Sequence, residues 1–124
     1  ANFTNCIIYG NENLEISFDQ QSNGDFDFNF KNCLIRFNDF NNQYGSNPFY
    51  DFDNTTYYDN TIFNQDPKFL NKFDNEFQIE AIESPADNTG FEVMPSFSDI
   101  LNTIRTTGNY DIGAYQAIVF PDEN

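Results

Sequence analysis

Apolar and polar positions alternate in several short stretches of this chain. Asp25-Phe26-Asp27-Phe28-Asn29-Phe30 alternates strictly, which sets its phenylalanines on one face of an extended strand and its polar residues on the other. Leu14 to Phe18 and Phe77 to Ile82 follow the same pattern, and Tyr110 to Gln116 with Ile118-Val119-Phe120 reads as a closing strand. Gly10-Asn11, Gln20 to Gly24 and Ser84 to Gly90 punctuate these runs as turns. Phe97, Ile100, Leu101 and Ile104 have helical spacing, but the same stretch reads equally well as a strand and turn. No segment sustains a helical period, so the pattern predicts an all-β chain.

A second regularity lies above the alternation. Phe3-Thr4-Asn5-Cys6-Ile7-Ile8 is echoed by Phe30-Lys31-Asn32-Cys33-Leu34-Ile35 and, more loosely, by Tyr58-Asp59-Asn60-Thr61-Ile62-Phe63. The anchoring asparagines are 27 and 28 residues apart. A β-prone cassette returning at that period marks a stacked repeat. It suits coils of a parallel β-helix better than a sandwich, whose turn signals come every 8–12 residues without sequence repetition. The expected organisation is two to three coils over residues 1–83, with cassettes at 3–11, 30–37 and 58–64 and a loop insertion at 38–56. Phe49, Tyr50 and Phe52 of that insertion are expected to tuck back onto the body. Residues 84–124 are expected to cap the open end. Stacking would line up Asn5, Asn32 and Asn60 as a ladder of side-chain amides, each bonded to the next coil. Cys6 and Cys33 would be neighbours about 4.8 Å apart, either bridged or stacked as free thiols. The spacing permits a disulfide, while parallel side-chain vectors suit its torsion poorly.

Composition narrows the partners. The 124-residue chain has a net charge of −15, with 20 acidic and 5 basic residues. Nucleic acids and anionic membranes require Lys and Arg to neutralise phosphate, so both are disfavoured. The 16 Phe and 7 Tyr residues argue for an ordered aromatic core despite the acidity. No apolar run approaches the roughly 18 residues of a transmembrane helix, and no basic-then-apolar leader is visible. Because a cassette is under way at Phe3, we expect either a trimmed N-terminus or the tail of a longer protein. The absence of His excludes His-based acid–base chemistry and His-dependent triads.

The tail carries a further set of motifs in order: Asp66-Pro67-Lys68-Phe69, Phe77-Gln78-Ile79, Ser84 to Gly90, Asp99-Ile100-Leu101 with Arg105, and Tyr110-Asp111-Ile112-Gly113-Ala114-Tyr115-Gln116. With the cassettes, this set resembles the C-terminal region of bacterial surface proteins of the "choice-of-anchor Q" type, within the pectate-lyase-like superfamily. The resemblance implies a right-handed parallel β-helix and an exported protein on the outer face of the cell envelope. It does not imply one activity, because that fold hosts lyases, hydrolases and non-catalytic modules. The chain departs from the family pattern at Asp87-Asn88-Thr89-Gly90, at Asn102 to Arg105 and at Gln116.

Four groups of residues are candidates for chemistry. Asp25 with Asp27, and Asp51 with Asp53, are Asp-x-Asp pairs that would each point two carboxylates to one face of a strand. If the pairs fall on neighbouring coils they would form a Ca2+ site, an acid/base pair for glycoside hydrolysis, or a solvated acidic face. Asp99, Arg105 and Asp111 read as an ion-pair cluster that either pins the last coil to its cap or binds substrate. Lys31, Lys68 and Lys72 are available as lyase bases, although their spacing gives no sign of a lowered pKa. Tyr9, Tyr44, Tyr50, Tyr57 and Tyr58 would stack on sugar rings or pack their loops. The balance is a non-catalytic structural and binding module for a glycan or an envelope protein, joined to the rest of its own β-helix upstream. It requires no cofactor, with Ca2+ as the candidate ion. The alternative is part of a polysaccharide lyase or glycoside hydrolase whose catalytic coils lie upstream.

Overall fold

The computed structural model describes residues 1–94 and 97–122. Six short strands come from the three cassettes: β1 (Asn2–Thr4), β2 (Ile7–Ile8), β3 (Asn29–Lys31), β4 (Leu34–Ile35), β5 (Tyr58–Asp59) and β6 (Ile62–Phe63). They pair in parallel as two three-stranded sheets, ordered β1-β3-β5 and β2-β4-β6. The register follows the sequence echo, with Phe3 opposite Phe30, Phe30 opposite Tyr58, and Ile7, Leu34 and Ile62 in line. In each cassette the bend between the two strands falls on the asparagine. Asn5, Asn32 and Asn60 have φ of 56°, 50° and 48°. Asparagine tolerates this left-handed region better than other residues with a Cβ, so the turn selects it three times. Strands β7 (Phe69–Asn71) and β8 (Glu76–Ile79) then form an antiparallel pair across the 3-10 turn Lys72–Asp74.

The sheet β2-β4-β6 lies between two apolar clusters, because successive side chains point to opposite faces. Cys33 and Ile35 point into a mainly aromatic core with Phe28, Phe30, Phe37, Tyr50 and Tyr58. Leu34 points the other way, into an aliphatic cluster with Ile79, Ala86 and Ile112, against which Ile7, Ile62 and Phe69 pack. At the edge of the aromatic core the exposed Phe3 ring stacks on Phe30 at 4.8 Å, and within it Phe30 stacks on Tyr58 at 5.7 Å. Phe49, Tyr50 and Phe52 bring the 38–56 loop back onto this core.

This architecture corrects the expected right-handed parallel β-helix of two to three coils plus a cap. The chain is mostly loops joined by strands of two to four residues, and its sheets hold two or three strands each. They do not close into a solenoid: among the described residues, 9–28 and 36–57 supply no strand to a third sheet. The reason lies in how those segments satisfy their backbone. Asp39 accepts from the N–H groups of Gln43 and Tyr44, Asn47 from Phe49, Asp51 from Asp53, and Asn54 from Thr56. Such local side-chain bonds compete with ladder formation. Alternation in Asp25 to Phe30 still sorts Phe28 and Phe30 inward and Asp25 and Asp27 outward, yet only Asn29–Lys31 finds a ladder partner.

The expected cap is also corrected. The segments around Ala86, Thr89 and Ile112-Gly113 lie along the outer face of β2-β4-β6 instead of across its end. The Gly113 N–H donates to the Asn5 carbonyl, the Asn32 amide donates to the Thr89 carbonyl, and Ile112 and Ala86 join the cluster around Leu34. Gly113 is required at this contact: its φ is +104°, and a Cβ there would meet Ile7 Cδ1 at 2.8 Å. The stretch Phe97 to Arg105 resolves as the strand-and-turn alternative, with an antiparallel bridge between Ser98 and Ile104. Parts of the 84–124 region, residues 95–96 and the last two residues of the polar end 121–124, lie outside the described residues.

Candidate functional site

The two Asp-x-Asp pairs do not gather. Asp25, Asp27, Asp51 and Asp53 are all exposed, and among the described residues no group of three or more His, Cys, Asp or Glu side chains is placed to hold a metal ion. Asp51 is occupied locally, accepting from the Asp53 N–H at 3.2 Å. The asparagines stack in register as backbone bends, but their amides do not bond to one another. Asn5 exchanges two hydrogen bonds with the Phe91 backbone, at 2.7 and 2.6 Å, and Asn32 donates to Thr89 at 2.9 Å. The expected amide ladder is thus replaced by a seam that ties the cassettes to the C-terminal segment.

Asp99, Arg105 and Asp111 do come together, but as an interlocked hydrogen-bond network instead of an ion-pair cluster. The Arg105 guanidinium donates to the backbone carbonyls of Asp111 and Gly113, at 2.8 and 2.7 Å. Asp99 accepts from the N–H groups of Leu101, Thr103 and Gln116, each at 2.8 Å. Burial pushes the Asp99 carboxyl up, but those three donors and the nearby Arg105 charge outweigh it and hold the group below the usual range. Asp111 is 1% exposed and accepts from the N–H groups of Asn88 and Ala117. Burial raises its pKa, and the adjoining Asp87 carboxyl adds to that rise. The sequence offered no sign of the Asp87–Asp111 contact, because 24 positions separate the two.

Four of the five tyrosines considered for sugar stacking turn inward. Tyr50 and Tyr58 are core residues, and Tyr44 and Tyr57 pack against them. Tyr9 differs: it lines a cleft of about 580 Å3 between the first cassette and the C-terminal segment, with Phe69, Phe77 and Tyr115. The same Tyr9, Phe69 and Phe77 rings also line an adjoining cleft of about 350 Å3, which continues past Asn11, Asn75, Arg36, Lys72 and Asp66. Phe69 and Phe77 meet edge to face at 5.2 Å, and the Arg36 guanidinium lies 5.5 Å from the Tyr9 ring centre. Arg36 is fixed by bonds to the Gly10 carbonyl and the Asn13 side chain, while its Nε is buried with no hydrogen-bond partner. Phe69, Phe77, Tyr115 and Arg36 were not singled out from sequence as binding residues. An aromatic residue on a short strand carries no local mark of whether it faces a core or a cleft.

Comparison with family models, with curated proteins and with solved structures returns no match. No helix among the described residues is long and apolar enough to cross a membrane.

Proposed function

We propose that this chain is a non-catalytic binding module whose ligand is a glycan, held in the double cleft around Tyr9, Phe69 and Phe77. The carrying observation is that these three rings wall two adjoining clefts at once. One side adds Tyr115, and the other adds side-chain amides and two cations. Aromatic faces bury the apolar faces of sugar rings while the amides and charges at the border take up hydroxyls, which is the usual division of labour in a concave site. The volumes fall within the range of small-ligand sites. Arg36 and Lys72 are two of only five basic residues in a chain of charge −15, so their placement at one cleft stands against the general surface. The resemblance of the tail to surface-protein termini supports an exported location. No catalytic step is assigned. In the Asp87–Asp111 carboxyl pair Asp111 is buried and Asp87 half-buried, and both are held by backbone donors within the C-terminal segment.

The test is a glycan array followed by calorimetry on hits. A specific hit should bind with a dissociation constant of about 1 mM or tighter, near −4 kcal/mol, and Phe77→Ala should abolish it with the fold retained. Binding unaffected by Phe77→Ala, or no hit at all, contradicts the reading. A second reading is docking to an envelope protein. It rests on Phe97, Ile100, Leu101 and Ile104, which are 57–71% exposed in one stretch.

A further inference from the structure

We propose that Cys6 and Cys33 form a peroxide-sensitive dithiol, in which Cys6 is the reacting thiol, Cys33 resolves it, and the oxidant is a small hydroperoxide. Both cysteines are free, and they occupy matching positions immediately before adjacent strands: Ile7 pairs with Leu34, and the Leu34 N–H donates to the Cys6 carbonyl at 2.9 Å. The Cys33 thiol reaches back toward the first cassette, 3.5 Å from the Phe3 carbonyl, while the residue itself is fully buried. Cys6 is half-buried, sits on the edge strand side of the sheet and lines the larger cleft beside Tyr9 and Tyr115. Cys6 is therefore the more accessible of the two residues, and Cys33 lies behind it.

The third cassette shows that packing does not demand sulfur here. Thr61 stands where the other cassettes have cysteine, and its hydroxyl makes the same pair of contacts. It lies 3.0 Å from Phe30 O and 3.4 Å from Asp59 O, as Cys33 lies 3.5 Å from Phe3 O and 3.4 Å from Lys31 O. A small donor satisfies the position, yet two neighbouring copies carry thiols. The neighbouring Cys33 thiol favours the Cys6 thiolate, which lowers Cys6 to about 7, while the same proximity and burial push Cys33 up. A thiolate near ambient pH is close to the optimum for attack, since nucleophilicity falls as pKa falls.

The chemistry balances as follows. The Cys6 thiolate attacks one peroxide oxygen, the O–O bond breaks, and the departing oxygen leaves protonated as water or alcohol. Cys6 is then a sulfenic acid. Cys33 gives up its proton and attacks the Cys6 sulfur, the S–O bond breaks, and water leaves. Two thiols have lost two electrons to one hydroperoxide, and a disulfide joins the first two cassettes. In-register neighbours are within the separation a disulfide needs, and their parallel side-chain vectors make the bond easy to reduce again.

The test uses the full 124-residue chain, reduced and then exposed to hydrogen peroxide. Mass spectrometry should show loss of two hydrogens and of both alkylatable thiols. Before oxidation, iodoacetamide should label Cys6 about tenfold faster than Cys33. Cys33→Thr copies the third cassette; it should stay folded and stop at a sulfenic acid on Cys6 that dimedone traps. Equal labelling of the two thiols in the folded protein would overturn the proposal, as would peroxide leaving both intact. Over-oxidation of Cys6 to sulfinic acid in the wild type, with no disulfide, would overturn the resolving role. Should Cys33→Thr fail to fold, the wild-type mass change and labelling rates decide alone.

Discussion

Asn5 does two things at once. Its backbone turns the chain at φ 56°, and its amide exchanges two hydrogen bonds with Phe91, 86 positions away. The two contributions separate by substitution. Asn5→Gly keeps the turn and loses the amide, at about 1 kcal/mol. Asn5→Ala loses both, because a Cβ in the left-handed region costs a further ~1–2 kcal/mol. Urea unfolding should rank wild type above Asn5→Gly above Asn5→Ala; the reverse order for the two variants would show that the turn does not demand a left-handed residue. The recurrence of asparagine was plain in the sequence, but its meaning was not. Three asparagines in register suggest a side-chain ladder, whereas the repeated requirement is backbone φ. That distinction depends on where Phe91 and Thr89 pass, which no local pattern states. The carboxyl pair Asp87–Asp111 makes a second prediction. Asp111 has a raised pKa, so its protonated form stabilises the fold below the usual value of about 4, and that contribution is lost as pH rises through the raised value. Asp99, lowered, acts oppositely: its contribution is present above about 4 and is lost as pH falls through the lowered value. Asp87→Asn removes the like charge beside Asp111, so the decline in melting temperature with rising pH should become shallower. An unchanged slope would refute the Asp111 assignment.

Strand β4 is the middle of the central sheet, and its two residues face different cores. Leu34 and Ile35 are both 0% exposed, one in the aliphatic cluster and one in the aromatic one. Leu34→Ala should cost about 2–5 kcal/mol by urea denaturation, since the site has packed neighbours on both sides and little room to collapse. Val119→Ala, at a residue 83% exposed, should change stability by no more than about 0.5 kcal/mol. Equal effects would mean that the outer face of the sheet is not a core. The six cassette strands were legible because sequence echo and register coincide. Leu14 to Phe18 was not: among its residues only Leu14 bridges, to Phe37. The alternation there marks which side chains turn inward but does not guarantee a partner strand. The helical spacing of Phe97, Ile100, Leu101 and Ile104 misleads for a related reason. Asp99 captures the N–H groups of Leu101 and Thr103, which fixes a turn and leaves those apolar residues in solvent.

Phe69, Ile79, Ala86 and Ile112 pack against the outer face of β2-β4-β6, and the cleft is a product of that docking. Tyr9 comes from the first cassette, Phe69 and Phe77 from the antiparallel pair, and Tyr115 from the segment that Gly113 anchors on Ile7. Each wall residue is an ordinary aromatic in its own stretch, so the site exists only once three distant parts of the chain meet. Two of the chain's five basic residues, Arg36 and Lys72, border the cleft, a placement that composition alone could not give. If this cleft is the glycan-binding surface proposed above, an amide-resolved NMR titration of the folded chain with a glycan from the array will show saturable shifts concentrated at residues 5–11, 69–77 and 113–115. Saturable shifts confined to residues 97–104, or no shifts with any glycan in the panel, would contradict it.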